Sequence, residues 1–180
     1  MRARRHALGT VGLLWLLATP SLSGQGVITR DEALAAVFVG DEVASERVFL
    51  TQEQRQTIAE VARVEVESGL VARYVASRNG QVTGRAYVDT HVVRTKRESL
   101  LISLNPDGTL RRIDVTAFLE PMEYLAPERW LNQYLDKGLD DDLDLHRAIR
   151  PIVGATLTTH ATNDAVRRVM AIDQVLEQTD

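Results

Sequence analysis

The sequence contains no cysteine, which removes a disulfide framework, an iron–sulfur cluster, a thiolate zinc centre and a lipoprotein anchor from consideration. Its four histidines, His6, His91, His146 and His160, show no metal-ligand spacing. Asp140-Asp141-Asp142-Leu143-Asp144 begins like a calcium loop, but Leu145 holds the sixth position, which needs glycine, and Pro151 the twelfth, which needs glutamate. There is no G-x-S-x-G elbow and no phosphate-binding loop, and Gly24-Gln25-Gly26 lacks the third glycine of a dinucleotide fingerprint. An NAD-dependent oxidoreductase therefore has no support. Internal repeats, low-complexity tracts and linkers are also missing.

What is present has the balance of a globular protein: 44% hydrophobic and 26% charged residues in a chain of 180. That length suits one domain and can bury a core without disulfides. Residues 1–23 stand apart. Arg2, Arg4 and Arg5 form a basic start, Val11 to Ala18 a short apolar run, and Pro20 with Ser21-Leu22-Ser23 a small-residue cleavage site. This is the layout of a secretory signal peptide, so the expectation is an exported, periplasmic protein. An uncleaved N-terminal anchor is the alternative, although the run is short for a membrane span. Removing residues 1–23 leaves 18 basic against 25 acidic residues and moves the net charge from −4 to −7. So acidic a remainder argues against nucleic acid as a partner.

Residues 24–180 read as a single α+β domain with a short N-terminal helical segment. Thr29-Arg30-Asp31-Glu32 and Thr51-Gln52-Glu53-Gln54 are capping boxes opening helices to about Ala36 and Val64. Strand patterns follow at Val71–Ala76, Val82–Val93, Leu100–Leu104 and Leu110–Phe118. Asn79-Gly80 and Asn105-Pro106-Asp107-Gly108 supply the turns between them. An antiparallel sheet of about four strands in meander order, packed with helices, is expected. Pro127 suits the first turn of a helix running from Glu128 to about Asp136. Ala165, Val166, Val169, Ile172 and Leu176 form the apolar stripe of a C-terminal helix, with Arg167 and Arg168 on its solvent side.

The chemistry is concentrated at Val153-Gly154-Ala155-Thr156-Leu157-Thr158-Thr159, just before that helix. A glycine that lets the backbone turn, several hydroxyls, and the free amides and positive dipole of a helix start make a phosphate-receptive place. The same residues also read as a plain turn, with Thr158 or Thr159 as an N-cap.

The stretch Gly154 to Arg168 resembles the FMN-binding domain found in subunits of the Rnf electron-transport complex and the sodium-translocating NADH:quinone oxidoreductase. Asp107 to Val115, Phe118-Leu119-Glu120-Pro121 and Trp130-Leu131-Asn132-Gln133-Tyr134 are similar to that family's strand, acid–proline pair and aromatic helix, in the same order. The resemblance covers roughly residues 84–176. It implies FMN joined covalently, through its phosphate, to the Thr156 hydroxyl by a magnesium-dependent flavin transferase. Gly154, Ala155, Leu157, Thr158 and Thr159 would then be its neighbours. It implies an electron carrier working with membrane or periplasmic redox proteins, rather than a stand-alone enzyme. Glu120 and Tyr124 become candidates to line the flavin ring. His91, with Arg94, Lys96 and Arg97, becomes a candidate to steady ring or phosphate; a solvated strand end is the plainer reading of those four. The chain departs from the family pattern at Val153, where serine or threonine is usual, and at Arg150, where an acid is usual. The family's glycine-rich strand segment is replaced by His91 to Arg97. A flavin-free binding or assembly module, or a reductase with noncovalent FMN, are the alternatives.

Overall fold

The computed structural model describes residues 26–140 and 142–178. The expected signal segment 1–23 lies outside them. The elements run α1 (Arg30–Val37), β1 (Glu42–Phe49), α2 (Gln52–Ala62), β2 (Leu70–Arg78), β3 (Gln81–Val92), β4 (Arg97–Leu104), β5 (Leu110–Phe118), α3 (Glu128–Leu131) and α4 (Thr156–Glu177). One-turn 3₁₀ segments cover Met122–Tyr124 and Asn132–Tyr134. The class is α+β, with one antiparallel meander in the order β1-β2-β3-β4-β5.

Local chemistry accounts for the starts and turns. Both capping boxes close: the Glu32 amide donates to the Thr29 hydroxyl (3.2 Å) and the Thr29 amide to the Glu32 carboxylate (2.9 Å). Thr51 and Gln54 repeat the exchange at 3.1 and 2.9 Å. Asn79 and Gly80 both have positive φ, 53° and 78°, the double left-handed turn that matches strand twist in a two-residue hairpin.

The fifth strand, β1, has a different origin. Seven of its eight residues are exposed, and it pairs with β2 alone, from Glu42↔Ser77 to Phe49↔Leu70. With no buried face it carries no alternating pattern, so backbone pairing rather than side-chain burial makes it a strand.

The main core lies between one face of the sheet and α2, α3 and α4. Tyr87, Leu100, Ile102, Ile113 and Val115 there meet Ile58, Trp130, Tyr134, Val166 and Val169. A smaller core on the other face holds Ala33 and Leu34 of α1 and the following Phe38 against Tyr74, Ala76, Ala86 and Leu101. Gly84 makes this second packing possible. A Cβ there would stand 2.7 Å from the Leu104 carbonyl and 2.8 Å from the Phe38 ring.

One helix departs from expectation. The helix after Pro127 closes at Tyr134, because the Asp136 amide donates to the Leu110 carbonyl (2.8 Å) and the Leu110 amide to the Lys137 carbonyl (2.9 Å). Those bonds draw the chain back onto β5, with Asp136 at φ 60°. Helix α4 starts at Thr156, directly after Gly154 and the N-cap Ala155, where the C-terminal helix is expected to begin. Among the described residues no helix is long and apolar enough to cross a membrane.

Candidate functional site

Gly154 sits at φ +86°, a conformation that L side chains rarely adopt, with open space where a Cβ would be. This turn lifts Val153 fully into solvent and delivers the chain into α4. Ala155, buried, is the N-cap and offers no side-chain acceptor. Thr156 is the first helical residue and is exposed. Its hydroxyl has no hydrogen-bond partner among the described residues, and neither do the amides of Thr156, Leu157 and Thr158. An unengaged hydroxyl, three outward amides and the positive end of a 22-residue helix therefore share one turn.

The neighbouring threonines point elsewhere. Thr158 and Thr159 are almost completely buried. The Thr158 hydroxyl donates to the Tyr124 carbonyl (2.8 Å) and that of Thr159 to the Ala155 carbonyl (3.0 Å). Neither is the N-cap. Both fasten the loop: the Ile152 amide donates to the Thr159 oxygen at 3.1 Å. Leu157 is half exposed beside Thr156.

Tyr124 is half buried and reaches α4 through its carbonyl. Glu120 is buried and accepts from the amides of Thr95 (2.7 Å) and Lys96 (2.8 Å) in the β3–β4 hairpin. Those backbone donors hold its carboxyl below the usual glutamate range. Glu120 thus ties the β3–β4 hairpin to the segment after β5, and Tyr124 ties that segment to the first turn of α4.

His91 lies apart from Arg94, Lys96 and Arg97, on the helix-covered face of β3. Its Nδ1 is 2.9 Å from Asp89 and its Nε2 3.1 Å from Glu98, which is fully buried. Burial opposes the imidazolium charge, but the bonds to Asp89 and Glu98 outweigh it and push His91 up to about 9. Arg168, expected on the solvent side, forks onto Asp89 at 2.8 and 2.9 Å. Arg167, also expected outside, is buried and donates to the carbonyls of Ala62, Asp140 and Leu143. Further along, Asp173 receives Arg85 at 2.5 and 2.8 Å and the Tyr87 hydroxyl at 2.7 Å. Arg85, Tyr87, Asp89 and His91 are alternate residues of β3, so one strand face presents a polar row to α4.

Alternating polar residues normally mark a solvent face, so of this row the sequence singles out His91 alone. The only available hint was the pairing of β3 charges with opposite charges on α4.

Beside this seam a cleft of about 740 Å³ opens between the 63–68 loop, β2, β3 and α4. Val64, Val66, Leu70 and Val169 contribute apolar walls, and Asp89, His91 and Arg168 are polar groups at its lining. It reaches α4 at Ala161, five residues or roughly 7.5 Å of helix rise beyond Thr156.

Comparison of the chain with protein families, curated proteins and solved structures finds no match. The likeness to the FMN-binding domain consequently rests on the motifs and their order.

Proposed function

We propose that the protein is an exported electron carrier that holds FMN as a phosphoester on Thr156. One observation carries this reading. Of the three threonines at the start of α4, Thr156 alone has a solvent-exposed hydroxyl with no partner among the described residues. A transferase needs such a hydroxyl, and the fold holds it on a rigid helix instead of a loose loop.

Thr156 Oγ1 would hold the flavin as a phosphoester, its new bond to phosphorus replacing the phosphoanhydride bond of a flavin dinucleotide donor, with a nucleoside monophosphate as the leaving group. The hydroxyl proton passes to the transferase. The amides of Thr156, Leu157 and Thr158 would donate to the phosphoryl oxygens, favoured by the helix dipole. Gly154, bare of side chain, leaves the approach clear. Thr158 and Thr159 act indirectly, by locking the loop through their buried bonds. Bound FMN supplies one- and two-electron transfer; the chain supplies tether and orientation. A covalent tether suits an exported protein, which would otherwise lose a dissociated flavin.

Intact-mass measurement of the protein co-produced with a flavin transferase tests the reading. Wild type should gain the mass of FMN less water, and Thr156→Val should gain nothing. An unmodified wild-type mass under those conditions overturns it.

The cleft favours a second reading, a binding module without flavin. Its volume falls in the small-molecule range, with apolar walls and a few fixed polar groups. That reading predicts a colourless protein even with the transferase present.

A further inference from the structure

Five of the exposed apolar side chains, Val92, Leu119, Met122, Val153 and Leu157, lie on segments linked to the first turn of α4. Val92 closes β3 and pairs with Arg97, the first residue of β4. The Leu119 amide donates to the Arg97 carbonyl at 3.0 Å, so the chain after β5 leaves beside the hairpin. Glu120 grips the hairpin amides, Met122 follows in the 3₁₀ turn, and Tyr124 receives Thr158 from α4. Val153 and Leu157 flank Thr156. Val92, Leu119, Met122 and Leu157 are each more than half exposed, and Val153 is completely so. Soluble proteins seldom leave such a set together without a use.

The charge of this end differs from that of the chain. Residues 92–97, 119–124 and 150–158 carry Arg94, Lys96, Arg97 and Arg150, all exposed and none paired with a carboxylate among the described residues. Against them stand Glu123 and Glu120, the latter enclosed by hairpin amides. These three segments thus carry more cations than carboxylates on a chain that is net −4 overall, with Glu65 and Glu67 among the acids that line the cleft beside Val92. The apolar groups sit on turns and element ends, Val92 also lining the cleft and Val153 standing on a protruding glycine turn. Protruding apolar side chains flanked by cations suit a headgroup layer, into which the former insert while the latter meet lipid phosphates.

We propose that this end docks on the surface of an anionic phospholipid bilayer. The reading builds on the carrier function above, since it would set Thr156 at the membrane face, but the contact itself needs no flavin. Vesicle binding is therefore measured on protein made without a transferase, and its failure is a separate result from failed flavin attachment. The chain from Gly24 contains every element and both cores described above, and is used so that the apolar run Val11–Ala18 does not bind lipid on its own.

The experiment is co-sedimentation with phosphatidylcholine vesicles, with and without about one-third phosphatidylglycerol, in about 0.1 M salt. Binding should be at least about tenfold stronger to the anionic vesicles and should weaken as salt rises. The triple variant Arg94→Gln, Lys96→Gln, Arg97→Gln should lose about tenfold or more, with its thermal midpoint unchanged. Leu119→Ser with Val153→Ser should also weaken binding to the anionic vesicles. Equal binding to both vesicles, or triple-variant binding equal to wild type, overturns the proposal. Binding to neither vesicle also overturns it and assigns the patch to an acidic protein instead.

Discussion

Helix α4 has two parts that behave as different materials. Its first turn is open: Thr156 and Leu157 are exposed, Val153 before it is bare to solvent, and the leading amides are unengaged among the described residues. From Ala165 to Asp173 every residue except the half-buried Arg168 is buried, and the polar ones are committed to the seam with β3 or to carbonyls of neighbouring loops. A helix anchored along most of its length can present a bare end without fraying, which is what a fixed attachment point requires.

The comparison is broken most severely at Asp173. Asp173→Ala leaves Arg85 and Tyr87 without their shared partner; Arg85 keeps the Pro106 carbonyl and the more exposed Glu177, each at 3.2 Å. A loss of about 3 kcal/mol in urea unfolding is expected. A loss below about 1 kcal/mol would show the seam to be loosely held.

A second effect appears with pH. His91 is raised from 6.5 to about 9 in the fold, so its charged form contributes stability in full below pH 6.5. That contribution fades as pH rises through about 9. Wild type should lose on the order of 2–3 kcal/mol relative to His91→Gln between pH 6 and pH 9.5. Parallel stability curves for the two proteins would contradict the charged Asp89–His91–Glu98 arrangement.

At the open end the effects shrink. Gly154→Ala meets no neighbouring atom but must hold φ +86°, and should cost about 1 kcal/mol through backbone strain alone. Thr156→Val should shift stability by less than about 0.5 kcal/mol, because its hydroxyl bonds to nothing among the described residues. A larger change, read by thermal unfolding, would mean that Thr156 has a structural task the geometry does not show.

Much of the fold was legible because it follows from near-neighbour chemistry. Thr29 and Thr51 needed only an acceptor or donor three residues on, and Asn79-Gly80 only its own backbone freedom. Strand β1 was illegible because neither of its faces is buried. The inward packing of helix α4's first turns was hidden for a related reason: Thr158, Thr159, Thr162 and Asn163 are buried, yet their polar character conceals it. At the candidate site, the turn and Thr156 could be marked from sequence. The inward commitment of Thr158 and Thr159 could not.

By itself the sequence determined the sheet's hairpins, the helix caps and the position of an open hydroxyl beside a glycine turn, since each depends on contacts within a few residues. Tertiary structure alone decided which polar residues face inward. Arg167, Arg168, Asp89, His91 and Glu98 are buried or nearly so because strands and helices distant in sequence bring them opposite charges and carbonyls. A charged side chain can leave water only when such partners are already in place, and that condition is written in three dimensions.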